Sequence, residues 1–260
     1  MPHVRALVRL LLIIVSIIVI LPVYMLIVMI AGLFGMRSRY AAVMIVKPIT
    51  NSIWTRLFGV RRRIVGERSP DARIFVANHL SYLDIIVAGG AIGGVFVSRH
   101  DVKDWPVVGW FGRLEGTVFI DRTSIRSAVE SSSGILERAR LGARIILFPE
   151  GGITKGREVA PFKPFLISGI TGAGLTVQPV TIDYTHIGRN PVTPGQGSLI
   201  YWDDPDTPLH KHLWRLLGFP YLRATITFHQ PIVSPTTSDK AAVREFTEKL
   251  RDTVAGGLGG

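Results

Sequence analysis

His79 and Asp84 stand five residues apart in Val76-Ala77-Asn78-His79-Leu80-Ser81-Tyr82-Leu83-Asp84, just past the strand-like run Ile74–Ala77. An imidazole beside a carboxylate is a base together with the group that aims it. The carboxylate holds one ring N–H, fixes the tautomer and stabilises the charged ring, which leaves the other nitrogen to take a proton. The spacing constrains how the two can meet: five residues along a regular helix turn through roughly 500°, leaving the side chains about 140° apart. His79 must therefore precede the first regular turn, with Asn78 or Ser81 as capping candidates, so that Asp84 can reach back to it. The same spacing also fits a plain helix cap followed by an ordinary polar residue.

Three further stretches set polar residues directly after an apolar strand. Gly116-Thr117-Val118-Phe119-Ile120-Asp121-Arg122 ends on an arginine whose planar fork suits bidentate contact with phosphate or carboxylate. Ile145-Ile146-Leu147-Phe148-Pro149-Glu150-Gly151-Gly152 joins a buried strand to a rigid turn, a glutamate and two glycines that let a ligand approach the backbone. Val177-Gln178-Pro179-Val180-Thr181-Ile182 carries a proline that fits best at a sheet edge or a strand start. Each of these, alone, is also an ordinary turn or strand.

Taken together, Asn78-His79-x-Ser81-x-x-Asp84, Gly116-x-x-Phe119-Ile120-Asp121-Arg122, Phe148-Pro149-Glu150-Gly151 and Val177-x-Pro179-Val180 resemble the four ordered blocks of the glycerolipid acyltransferases typified by bacterial 1-acyl-glycerol-3-phosphate acyltransferase. The resemblance covers about residues 70–185. It implies an α/β fold with a central mixed sheet flanked by helices and an N-terminal membrane-embedded helical segment. It also implies a reaction: His79, held by Asp84, removes the proton of a lysolipid hydroxyl as that oxygen attacks an acyl thioester on acyl carrier protein or coenzyme A. Such base catalysis contributes about 10² to 10⁴-fold. A thiolate whose conjugate acid has a pKa of about 8.5 leaves without a strong general acid, and protonated His79 can supply its proton. No acyl-enzyme and no cofactor are needed, in keeping with a chain that lacks cysteine and a Gly-x-Ser-x-Gly elbow. Asn78, Ser81, Arg122, Glu150 and Gly151 match positions expected to bind substrate, and Lys163 is a nearby positive charge that could assist.

One departure bears on the acceptor. The family's third block commonly continues Gly-Thr-Arg-Ser, whereas Gly151 is followed here by Gly152-Ile153-Thr154. The absent arginine is expected to help hold a phosphate, with Lys155 or Arg157 as substitutes. Residues 101–122 and His212-Leu213-Trp214-Arg215 weakly resemble the lyso-ornithine lipid acyltransferase branch. The expected acceptor is 1-acyl-glycerol-3-phosphate, giving phosphatidic acid for phospholipid biosynthesis, with lyso-ornithine lipid as the alternative. A non-catalytic membrane lipid-binding protein is the alternative of another class.

These residues need elements to position them. From Arg63 onward strand and helix signals alternate: strands at 62–67, 73–77, 94–98, 117–120, 143–148, 177–184, 197–202 and 223–229, and helices at 82–91, 106–113, 124–141, 163–172, 209–217 and 239–254. Alternation of this kind builds an α/β domain whose active residues lie on loops at strand ends. The glycine cluster at 169–174 follows a helix signal, so it lacks the strand context of a dinucleotide site. The expected organisation is a membrane-anchoring helical segment with an interfacial helix over 1–60, an acyltransferase domain over 61–255 and a flexible tail at 256–260.

Residues 10–36 form an uncharged apolar run of about 40 Å as a straight helix, longer than the roughly 30 Å hydrocarbon core. It fits either a tilted single span or a hairpin broken near Pro22, and it is too long for a cleaved signal. Residues 40–60, divided by Pro48, read as a segment lying along headgroups with Trp54 as anchor and residues 61–63 facing phosphate, or as a plain core helix. The net charge of +11 is lopsided: nine basic residues and no acid precede Glu67, leaving 21 basic and 19 acidic residues from Glu67 onward. That asymmetry points to an anionic membrane surface, the inner membrane with the domain in the cytoplasm, and not to nucleic acid. With no cysteine and no His-Glu-x-x-His run there is no expected metal site; His210 and His212 read as surface residues.

Overall fold

The computed structural model describes residues 1–106, 108–121, 125–154, 158–202 and 206–259, with 125–132, 194 and 195 described by backbone alone. Two long helices come first, α1 (Pro2–Leu33) and α2 (Met36–Leu57). The chain then alternates: β1 (Val60–Val65), β2 (Ile74–Ala77), α3 (Asp84–Ile92), β3 (Val95–Arg99), a 3₁₀ turn, α4 (Val108–Glu115), β4 (Val118–Ile120), α5 (Ile125–Arg140), β5 (Ile145–Leu147), α6 (Pro164–Ser168), β6 (Thr176–Ile187) and β7 (Asn190–Pro191). After a second 3₁₀ turn come α7 (Leu209–Gly218), β8 (Leu222–Phe228), β9 (Ile232–Val233) and α8 (Lys240–Ala255).

The sheet is mixed, in the order β1-β8-β6-β2-β5-β3-β4, with β7 and β9 added on β6. β6, β2, β5, β3 and β4 run parallel, and β8 lies antiparallel to β6. All four residues of β2 are buried, as a central strand covered on both faces requires. Ile74 and Val76 join one core with residues of α1, α5 and α8, while Phe75 and Ala77 join the other with α3 and α7. Pro179 sits near the start of β6 opposite Val76. Its carbonyl accepts from the His229 N–H at 3.0 Å, so the missing proline N–H falls in the gap between the β9 and β8 pairings, where no ladder bond is lost.

Several expectations need correcting. α1 runs unbroken through Pro22, which lies on its exposed face, because Tyr24, Met25 and Val28 beyond it and Ala6 and Ile13 before it are buried against the domain. The chain reverses instead at Gly35, whose φ of 100° favours glycine, and α2 returns along α1. Pro48 does not divide α2, and α2 is a core helix on one face, packed against α1 and α3. Trp54 donates its indole N–H to Ser16 Oγ at 3.2 Å, and Lys47, expected among headgroups, is buried in an ion pair with Glu115. The stretch 197–202 is no strand: Pro194–Leu199 is a 3₁₀ turn closed by a Thr193–Gln196 capping box, and Ile200 and Tyr201 are buried beneath it. A short apolar run reads alike in both settings. The helix expected over 163–172 ends at Ser168. His212 is buried and bonded to the Tyr82 hydroxyl at 3.1 Å, on the face of α7 that also carries Leu216. Residues 256–259 turn back on β6, the Gly259 N–H donating to Asp183 Oδ2 at 3.3 Å.

Candidate active site

β2 and β5 are parallel neighbours, so the segments after them meet at one edge of the sheet, where ligand sites in such folds form. The Asn78 side chain extends the β2 ladder: its Nδ2 donates to Ile182 O at 2.9 Å and its Oδ1 accepts from the Ile182 N–H at 2.8 Å. That clamp delivers His79 at the strand end. The helix begins only at Asp84, so His79 lies ahead of the first regular turn, as the angular argument demands. Neither Asn78 nor Ser81 caps α3; the Ser81 hydroxyl donates to Ile200 O at 3.0 Å.

Asp84 does what a cap would do and more. Its Oδ2 accepts from the Leu80 and Ser81 N–H groups at 2.6 and 2.8 Å and from His79 Nδ1 at 2.9 Å. Its Oδ1 accepts from the Tyr184 hydroxyl at 2.8 Å. The carboxylate is fully buried, stands at a helix N-terminus that favours negative charge, and has four donors. An acceptor held this way fixes the proton on Nδ1 and leaves Nε2 as the basic nitrogen, with no hydrogen bond among the described residues. The His79 side chain is 16% exposed, enough to meet a substrate from one side. Its ring stacks on Phe148 at 4.4 Å between centroids, and Phe148 stacks on Phe96 at 6.0 Å.

Glu150 holds the loop from the other side. Its Oε1 accepts from the His79 N–H at 2.7 Å, and its Oε2 accepts from the Ala160 N–H at 3.1 Å and from the Thr154 hydroxyl. The Thr154 N–H in turn donates to His79 O at 2.8 Å. Burial pushes the Glu150 carboxyl up to about 7, although the two backbone donors pull it the other way. Gly151, at a φ of 80°, makes the turn that sets Glu150 inward. Lys163 ends this loop with its N–H on Pro149 O at 2.8 Å and its side chain exposed.

The structure thus brings His79, Asp84, Asn78, Ser81, Glu150 and Gly151 together, with Asn78, Ser81 and Glu150 bonded to the protein itself. Arg122, Lys155 and Arg157 lie outside the described residues. Sequence reasoning missed Tyr184, although it shares the strand face of Val180 and Ile182, and missed the Phe96–Phe148 column. It also missed the buried set behind that column: Lys47 Nζ lies 2.6 Å from Glu115 Oε2 and 4.5 Å from the Phe96 ring centre, and the Tyr24 hydroxyl donates to Glu115 Oε1 at 2.5 Å. No group of three His, Asp or Glu side chains converges for a metal among the described residues.

A family model described as Acyltransferase matches residues 61–183. The lyso-ornithine lipid O-acyltransferase of Brucella abortus is 34% identical, over 79% of this chain and 80% of its own. The 1-acyl-sn-glycerol-3-phosphate acyltransferase of Neisseria gonorrhoeae is 28% identical, over 72% of this chain and 71% of its own. In fold the chain is similar to the crystal structure of a 1-acyl-sn-glycerophosphate acyltransferase from Thermotoga maritima, with a TM-score of 0.68 at 21% identity, covering 96% of this chain and 95% of that one.

Proposed function

Since the chain belongs to the glycerolipid acyltransferase family, whose members move acyl groups onto lysolipids, we propose that His79 is the base of that transfer and Asp84 its orienting partner. The observation that carries this reading is the 2.9 Å contact from His79 Nδ1 to a fully buried carboxylate. Nε2 takes the proton of the acceptor hydroxyl as its oxygen forms a bond to the thioester carbonyl carbon. The tetrahedral adduct collapses, the C–S bond breaks, and the departing sulfur receives the proton from the imidazolium. Asp84 stabilises the ring while it is charged, and Phe148 holds its plane. The donor is acyl carrier protein or coenzyme A thioester, as the resemblance implies.

The acceptor is lyso-ornithine lipid. Two observations support it: the Brucella relative exceeds the Neisseria one in identity and coverage, and Gly152-Ile153 stand where a phosphate-binding arginine is common. The Neisseria relative keeps 1-acyl-glycerol-3-phosphate as the second reading. The helices act as the membrane anchor. α1 is a 32-residue apolar helix, yet Arg9 bonds the Leu217 and Phe219 carbonyls and Tyr24 bonds Glu115, so both its halves rest on the domain. A helix fixed at both points lies along the domain with its apolar face outward, which supports a hairpin with α2 seated in one leaflet over a single span.

The test offers the purified protein labelled acyl thioester, on either carrier, with lyso-ornithine lipid and lysophosphatidate in parallel, alongside His79→Ala. Transfer to lyso-ornithine lipid that disappears in the variant is expected. Transfer surviving His79→Ala would remove His79 from the mechanism, and transfer to lysophosphatidate alone would reverse the acceptor.

A further inference from the structure

The edge of the sheet opposite His79 carries a cluster that catalysis does not use. Arg144 immediately precedes β5, Arg68 lies between β1 and β2, and Arg62 belongs to β1; all three line one cavity of about 460 Å³. Among the described residues none of them pairs with a carboxylate. Their bonds go to neutral oxygens: Arg68 and Arg144 to Ile92 O at 2.7 and 3.1 Å, and Arg62 Nη2 to Ser52 Oγ at 2.6 Å. Arg62 Nη1 is buried with no hydrogen-bond partner among the described residues, packed where only a glycine at position 90 leaves room. Burial, then the charges of Arg68 and Arg73, draw Arg144 down to about 10. Convergent, unneutralised guanidinium groups around a cavity are suited to an anion, and their planar forks match phosphate.

The rim says where the phosphate comes from. Met44 and Pro48 of α2 and Ile64 of β1 line the same cavity; Ile64 is exposed, as are Ile45 and Ile49, the residues next to Met44 and Pro48 along α2. Apolar surface therefore runs outward from the arginines along α2. A free phosphate leaves it bare, whereas the chains of a lipid cover it. We propose that this cavity binds the phosphodiester headgroup of an anionic phospholipid, with the acyl chains along α2, and so holds the end of the domain remote from His79 on the bilayer.

The experiment titrates the full chain, in neutral detergent, with short-chain phosphatidylglycerol, phosphatidylcholine or inorganic phosphate, reading affinity by calorimetry and by the shift in Tm. Wild type and His79→Ala should bind phosphatidylglycerol alike, which separates this site from the catalytic one. Arg62→Gln and Arg144→Gln should each weaken it roughly tenfold, as loss of a charge-assisted hydrogen bond does, and the double variant about a hundredfold. Arg68→Gln, at an exposed position, should weaken binding in the same way and serves where a half-buried variant fails to fold. Phosphatidylcholine binding as tightly, an unchanged affinity in these variants, or inorganic phosphate binding as well as the lipid would each overturn the assignment.

Discussion

Replacing Asp84 by asparagine separates charge from shape. The amide oxygen can still accept from Leu80, Ser81 and His79, and its nitrogen can donate to the Tyr184 hydroxyl, so each of the four bonds around Asp84 has a counterpart. What disappears is the negative charge opposite the imidazolium. With Nδ1 and Oδ2 at 2.9 Å the charge centres lie about 4 Å apart, and at an effective dielectric of about 20 the lost attraction is about 4 kcal/mol. Since the ring is charged after proton transfer and neutral before it, that loss falls on kcat, by about 10³-fold. Thiol release from the acyl donor, followed against lysolipid concentration, measures it, with circular dichroism as the check on folding. KM for the lysolipid should stay within about threefold, and His79→Ala/Asp84→Asn should be no slower than His79→Ala, because the two act as a unit. A kcat within tenfold of wild type, or a double variant well below the single one, would refute the reasoning.

Glu150, raised from 4.5 to about 7 by burial, makes stability pH-dependent. The folded state favours the protonated form, so this contribution is full below about 4.5 and is lost as pH rises through about 7, at most about 3 kcal/mol. Urea melts across that window should show a decline in wild type that is absent from Glu150→Gln. Tyr184→Phe strips a donor from the buried Asp84 Oδ1 and should lower stability by about 1–3 kcal/mol in the same assay. Lys47→Met leaves Glu115 buried and charged without its cation, a loss of about 3–5 kcal/mol. Adding Glu115→Gln should recover most of it, and a double variant as unstable as the single would show that packing, not charge, holds α2 to α4.

Much of the site was legible because its chemistry is local. His79 and Asp84 stand five residues apart, one before α3 and the other at its first turn, and the conflict between that spacing and helical rotation already required the histidine to lie before the helix. Strand and helix alternation likewise located nearly every element from β1 to α8, since apolar period and turn residues act over short windows. The roles of charged and polar side chains were less legible. His212 read as a surface group because its type is usually solvated, yet Tyr82, 130 residues away, made its burial possible, as Glu115, 68 residues away, did for Lys47. Asn78 and Glu150 read as groups for a ligand, and the fold engaged both with its own backbone.

From the sequence alone came the candidate base and its carboxylate partner, the order of the blocks, the α/β class and the apolar N-terminus, all read from residue type and short-range pattern. The tertiary structure decided the rest: that Tyr184 of β6 and Phe148, just past β5, hold the pair, that the helices turn at Gly35 and not at Pro22, and that Arg62, Arg68 and Arg144 line one cavity. These depend on which distant segments pack together, and burial free energy is summed over contacts that no local window contains.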